Sequence, residues 1–412
     1  MRSSFFRKSY FLFLSTFILG PLLEPKSVFA TDLQLQLPSL QIYGFILPNI
    51  IGATRGVESF SQPNMSAFTA AGNPLLATSP NQSRATFQVA QSRLGFLMGS
   101  KTSVQGRLEF DFVDFTKASP TTASVPRLRR ATVEYHVDEH NVIVMGQDWD
   151  LFSAFHPIDY NFVGHYFESG SSGFMRQQLT WIRTTSDLEL GGSIGLQTAN
   201  PNAPDGNVEL SKFPAFVVRG AYLFGEHNRV GLSGIASQLL VDRTTDQKLP
   251  AYGVKGFSEF FLAGGDLDIR TEIYAGRNLF NLGTLTLSYG SALSDVAEVG
   301  GWMTGRYSLS QKFGIFGGGG IAKVLNPQRM LASYTLSPAG VYSLAGTGPG
   351  IERNWTVRIG AEYKPEPLLS IFAEVAYLNT LHHFGAVAPA SASIASPLQT
   401  ATVAFGGMML NI

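Results

Sequence analysis

The sequence predicts an all-β chain, a sixteen-stranded antiparallel transmembrane β-barrel with short periplasmic turns and long extracellular loops. Three observations carry this. Apolar and polar residues alternate in segments of about ten residues from residue 41 to the end of the chain. The joints between segments are alternately short and long, and no later run of about 18 apolar residues could cross as a helix.

The N-terminal segment is read first. Arg2, Arg7 and Lys8 form a positive region, Phe11 to Leu19 an apolar run too short to span a bilayer, and Val28-Phe29-Ala30 a small-x-small site. Residues 1-30 are therefore expected to be a removable secretory signal peptide, and 31-412 the barrel. The alternative, an uncleaved anchor, is opposed by the short run and by Pro21.

Strands are expected at 41-52, 86-99, 103-114, 127-138, 141-148, 175-185, 188-197, 213-225, 229-240, 252-263, 266-276, 297-309, 313-323, 353-363, 368-379 and 399-411. The third shows the pattern best. Val104, Gly106, Leu108, Phe110 and Phe112 fall on one side, and Gln105, Arg107, Glu109 and Asp111 on the other, as lipid on one face and water on the other requires. Joints such as Glu139-His140 and Gly264-Gly265 are tight, whereas 53-85, 149-174, 277-296, 324-352 and 380-398 are long and rich in Pro, Ser, Gly and Asn. An even strand number leaves both ends of the barrel on the periplasmic side. Tyr43, Tyr135, Trp181, Tyr222, Tyr307, Trp355, Tyr363 and Tyr377 lie toward strand ends, where interfacial girdles form.

Composition narrows the function. The chain has no cysteine, which excludes disulfides, thiolate metal sites and catalytic thiols. Without residues 1-30 it holds 26 basic and 29 acidic residues, which argues against a nucleic-acid partner. No GxSxG and no Ser/His/acid set falls together, His136 with His140 spans a turn, and His382-His383 lies in an outer loop, so neither an enzyme nor a metal or other cofactor is expected. The glycine run 317-320 lacks the strand-to-helix context of a phosphate loop and is read as relief of crowding.

A sixteen-stranded barrel is too wide for side chains to fill, so an aqueous diffusion channel is expected. Residues 149-174 are the candidate constriction loop. They hold Trp149, Phe152, Phe155, Phe162, Tyr166 and Phe167 with Asp150, Asp159, Glu168, His156 and His165, too apolar to stand in water, and the lumen is the nearest cover. Packing on a neighbouring subunit or over the rim is the alternative. Arg93, Arg107, Arg176, Arg219, Arg270, Arg306 and Arg358 share the lumen parity, as do Glu109, Asp111, Glu134, Asp268, Glu272, Glu362 and Glu374. In the fourth strand two registers stay open. One turns Arg130 inward with Ala131, Val133 and Tyr135 outward; the other turns Arg127 and Arg129 inward. The expected constriction is Arg93, Arg107, Glu109, Asp111, Arg129, Arg130 and Arg176 of the wall against Asp150, Asp159 and Glu168 of the loop.

Ile42-Tyr43-Gly44-Phe45, Gln91-Ser92-Arg93-Leu94-Gly95-Phe96, Leu108-Glu109-Phe110-Asp111-Phe112, Arg127 to Ala131 and Gly146-Gln147-Asp148-Trp149 resemble the first five strands of trimeric general porins, the DcaP-like porins in particular. The resemblance implies a bacterial outer-membrane homotrimer, a third loop folded into the pore, and small hydrophilic, often anionic, solutes. Two departures stand out. There is no room before the barrel for the coiled coil of DcaP-like chains, and the chain ends Leu410-Asn411-Ile412 rather than in Phe or Trp. A barrel enzyme and a surface-exposed structural or adhesion protein are the other classes considered.

Overall fold

The computed structural model describes residues 39-55, 83-113, 124-162, 166-173, 175-196, 213-225, 227-242, 247-279, 282, 284-285, 296-327, 333-336, 342-345, 351-382 and 398-412. The expected signal peptide lies outside the described residues, as does His165 of the candidate loop. The sixteen staves are β1 (Leu40–Ile46 and Asn49–Ala53), β2 (Arg84–Gln88 and Arg93–Gly99), β3 (Val104–Asp111), β4 (Arg127–His136), β5 (Asn141–Trp149), β6 (Met175–Thr184), β7 (Leu188–Gly195) and β8 (Ala215–Phe224), followed by β9 (Asn228–Asp242), β10 (Gln247–Leu262), β11 (Leu267–Arg277), β12 (Ala297–Ser308), β13 (Phe313–Val324), β14 (Ile351–Glu366), β15 (Leu369–His382) and β16 (Leu398–Asn411). Every neighbouring pair is antiparallel, and β16 closes the ring on β1 through Phe45↔Asn411, Ile46↔Leu410 and Asn49↔Gly407 to Ala53↔Val403. Closure leaves no sheet edge, so every stave's backbone can pair within the ring.

Two expected strands are each broken in the middle. Pro48 has no N–H to give the ladder, so β1 steps at Leu47-Pro48, and the Leu47 N–H donates to Ser92 Oγ at 2.9 Å in the matching break of β2. Part of the expected loop 324-352 instead forms a separate hairpin, Ser333–Leu336 with Tyr342–Ala345. The short turns have local causes. Asp138 Oδ1 accepts the N–H groups of His140 and Asn141, both at 2.8 Å, and Gly264 and Gly265 take φ of 70° and 98° to close the β10–β11 turn.

Side-chain alternation follows the pleat. Val133, Met145, Val218, Leu232, Val254, Ile273, Met303 and Ile359 are exposed on the outer face, where lipid covers a barrel of this kind. Of the eight girdle aromatics, Tyr135, Trp181, Tyr222, Tyr307, Tyr363 and Tyr377 are exposed on that face. Tyr43 is not a girdle residue. Its hydroxyl donates to Glu109 Oε2 at 3.0 Å, because its parity places it inside with Phe45.

In the fourth strand the two registers turn out to coexist. Glu109 pairs with Arg130 but the next residue, Phe110, pairs with Leu128, which leaves Arg129 as the extra residue of a β-bulge. One inserted residue flips parity, so Arg127 and Arg129 face inward before the bulge and Arg130 faces inward after it.

Candidate functional site

The loop after β5 enters the barrel. Asp150 starts the turn by accepting the Phe152 N–H at 3.0 Å while holding Arg176 Nη2 at 3.0 Å, with both of those side chains fully buried. A chain crossing a lumen has backbone donors without ladder partners, and here wall side chains supply acceptors. Glu272 of β11 accepts Ala154 N–H at 2.7 Å, Phe155 N–H at 3.1 Å and Ser153 Oγ at 3.0 Å, together with Lys255 Nζ at 2.9 Å and Trp302 Nε1 at 3.2 Å. Further along, Ile158 N–H donates to Thr304 Oγ1 and Tyr160 N–H to Glu374 Oε2, each at 3.1 Å, while Tyr160 Oη reaches Glu362 at 2.6 Å. On the return, Ser169 Oγ bonds Thr356 and Asn354 at 2.9 Å, and Ser172 O accepts Lys255 Nζ at 3.1 Å. These anchors belong to β10, β11, β12, β14 and β15, and Ser233 Oγ of β9 adds a bond to Phe152 O at 2.7 Å.

Apolar packing fixes the same seat. Tyr160 stacks on Phe372 with ring centroids 3.9 Å apart and planes at 3°, and Phe155 meets Phe257 edge-on at 5.6 Å. The glycine run now has a specific partner. A Cβ on Gly320 would overlap the Ser169 carbonyl oxygen, and one on Gly170 would overlap the carbonyl oxygen of Gly301, so bare backbone lets the loop lie flat on the wall.

Opposite this seat, β2 to β4 carry five of the arginines that the sequence singles out. Arg93 lies 3.6 Å from Glu109, Arg107 3.4 Å from Glu134, and Arg130 2.7 Å from Asp148. Arg129 bridges Glu109 and Asp111 at 3.0 Å each, and Arg127 meets Asp111 at 2.5 Å. Of the expected wall and loop residues, Arg176 and Asp150 face each other, but Asp159 lies 3.7 Å from Arg358, whose Nη1 also meets Glu374 at 2.9 Å, and not against Arg93, Arg107, Arg129 or Arg130. The side chains of Asp150, Asp159 and Arg176 have no exposed surface, since the loop turns its two acids onto the wall, Asp150 onto Arg176 of β6, rather than toward the water. Burial pushes the Asp159 carboxyl up to about 7 against the pull of Arg358. Glu168 is half-buried at φ 58°.

The charged wall continues beyond the expected constriction, through residues that the sequence singles out by lumen parity and some that it does not. Arg219 pairs with Glu189 at 2.8 Å, Arg229 with Glu259 at 3.1 Å, Arg270 with Glu259 and Asp268 at 2.9 Å each, and Lys364 with Glu362 at 3.6 Å; Arg306 also pairs with Glu362. Arg229, Lys255 and Lys364 were not singled out, although each has lumen parity. For Lys255 the signal was hidden because the inward aromatics Phe257 and Phe261 break the polar face of β10, and Arg229 and Lys364 sit at strand ends beside the short turns. Against the loop, a cavity of 400 Å³ is lined by Arg93, Arg270, Arg306 and Lys364, by the acids Asp159, Asp268 and Glu362, and by Tyr160, Phe162 and Phe316.

In most pairs the cation is the more exposed partner. Side-chain exposure is 24% for Arg127 against 1% for Asp111, 29% for Arg270 against 11% for Glu259, and 32% for Arg306 against 5% for Glu362. The numbers of basic and acidic groups are nearly balanced, but the surface that water meets is not. The carboxylates lie against the wall and the guanidinium groups cover them.

No protein-family profile and no curated protein sequence matches the chain. Solved structures do match. The outer membrane channel DcaP of Acinetobacter baumannii aligns with a TM-score of 0.66 at 13% identity, over 90% of this chain and 97% of that one. An anion-selective porin from Comamonas acidovorans aligns at 0.57 and 9% identity, over 91% and 99%, and the trimer form of OmpT, an outer membrane protein of Vibrio cholerae, at 0.53 and 13%, over 91% and 100%. At these identities the likeness establishes the porin fold.

Proposed function

We propose that the chain is a bacterial outer-membrane porin, a water-filled channel for passive diffusion of small hydrophilic solutes with anions preferred. One observation carries the preference for anions, namely that the wall's carboxylates are covered by its own arginines. A solute in the lumen meets guanidinium groups first, and a narrow low-dielectric wall strengthens that field. The porin fold, shared with an anion-selective porin from Comamonas acidovorans, supports the same reading.

In this reading the loop is sealed chiefly to β10–β15 and meets β1 and the break in β2 through Phe45 and Gln91, while solutes pass along the partly exposed guanidinium groups of Arg93, Arg107, Arg127 and Arg130, with Arg129 buried beneath them. Glu109 and Asp111 act there as wall-side counter-charges, and Asp150, Asp159 and Arg176 hold the loop rather than touch the solute. No chemical step is involved. Export by a signal peptide cleaved before Thr31, and assembly as a homotrimer in outer-membrane lipid, complete the proposal; the trimer form of OmpT supports the last point.

Flux into protein-loaded liposomes tests it. A small monocarboxylate should enter several-fold faster than an amine of equal size, with a neutral polyol between them. Equal rates, or no flux above protein-free liposomes, would overturn the proposal.

A further inference from the structure

Two hollows share a boundary at the short-turn end of the barrel. The inner one is the cavity of 400 Å³ against the loop, and the outer one, of 280 Å³, lies at the β12–β13 turn; Arg306, Glu362 and Lys364 line both. Ile158, Tyr160, Phe162, Phe316 and Met409 give the inner hollow an apolar side. That side is held by core packing, since Ile158, Phe162 and Met409 lie on the buried cluster that contains Tyr160 and Phe316.

The charges around the shared boundary do not cancel. Arg93 has Glu109 at 3.6 Å, and Arg270 has Glu259 and Asp268 at 2.9 Å each, so neither of these arginines is spare. Asp159 in turn faces Arg358. At the boundary itself one carboxylate serves two cations. Glu362 pairs with Arg306 and, at 3.6 Å, with Lys364, while its other oxygen accepts the Tyr160 hydroxyl at 2.6 Å. Its side chain is 5% exposed against 35% for Lys364. Lys312 brings a third cation, exposed in the turn; its ammonium donates to the Pro365 carbonyl at 3.1 Å and pairs with no carboxylate among the described residues. Asp266 is the other acid of the outer hollow, which leaves three cations to two carboxylates.

An apolar side beside one surplus positive charge fits a molecule built the same way. We infer that the two hollows bind an amphiphilic monocarboxylate, its short apolar body against Ile158, Phe162, Phe316 and Met409 and its carboxylate among Arg306, Lys312 and Lys364. A fully hydrophilic anion would leave the apolar side in water, and an uncharged apolar molecule would leave the surplus cation unmatched. A second negative charge would face Glu362 and Asp266 with no further cation to offset it. The assignment concerns binding, so it stands or falls independently of what the channel conducts.

A ligand-observed NMR titration of the full chain in deuterated detergent decides the matter, with hexanoate, acetate and hexan-1-ol as probes and protein-free micelles as the blank. Hexanoate should bind about tenfold more tightly than either acetate, which lacks the body, or hexan-1-ol, which lacks the charge. Lys312→Gln with Lys364→Gln should bring hexanoate down to the level of hexan-1-ol and leave hexan-1-ol unchanged, with heat-modifiable gel migration intact. Met409→Ser should weaken hexanoate and hexan-1-ol alike and leave acetate unchanged. Equal affinity of the wild type for hexanoate and either comparison molecule would overturn the assignment. So would unchanged hexanoate binding in the lysine double variant, or in Met409→Ser.

Discussion

The carboxylate of Glu272 accepts the Ala154 N–H at 2.7 Å, joining the in-folded loop to the barrel wall across 118 residues of sequence. The same carboxylate neutralises Lys255, and neither side chain has exposed surface. A buried ammonium without its partner costs about 3 to 5 kcal/mol. Glu272→Ala is therefore expected to free the first half of the loop, lowering the unfolding temperature and raising single-channel conductance. Unchanged conductance and stability would show that the loop is held elsewhere.

The glycine seat gives a paired test. Gly320→Ala is expected to displace the loop at Ser169, at an overpacking cost of about 1 to 3 kcal/mol, whereas Gly319→Ala faces outward and meets nothing closer than 3.3 Å. The first should change conductance and the second should not. Equal effects in denaturant unfolding and in bilayer recordings would contradict the seat.

Removing about residues 152-170 should raise conductance while the barrel still forms, because the staves close through their own ladders. Gel mobility before and after boiling checks the barrel, and an unheated trimer-sized band checks the proposed assembly.

Asp159 gives a pH dependence whose sign is fixed. Its carboxyl is pushed up to about 7 by burial, so the seated loop holds the proton more tightly than an unfolded chain, whose aspartate titrates near 4. The contribution is fully present below about pH 4 and is lost as pH rises from there to about 7, after which it stays lost. Limited proteolysis of the loop across that range should follow this course, and Asp159→Asn should make it shallower. A wild-type curve that is flat, or that rises with pH, contradicts the burial of this group.

Strand number, the short and long joints and the inward-folding loop were legible because alternation and composition are local signals. The bulge at Arg129 was not, since either parity satisfied the sequence of β4 and only pairing with Glu109 and Phe110 distinguishes them. The fates of Asp150 and Asp159 were also hidden. Arg358 is far along the chain on β14, Arg176 stands on the stave next to the loop's start, and nothing in the loop's own sequence says which face of it meets water. Tyr43 misled for the reverse reason: position near a strand end suggested a girdle, while parity pointed inward.

The most direct test is the zero-current potential of the reconstituted protein across a planar bilayer in a salt gradient. Discrete open-channel steps with a potential of the anion-preferring sign are expected, weakening at high salt as screening shortens below about 10 Å. Arg93→Gln with Arg107→Gln should move it toward cations, since the substitution removes two guanidinium charges that face the lumen beside Glu109 and Glu134. A silent bilayer, or a cation-preferring wild type, would contradict the account.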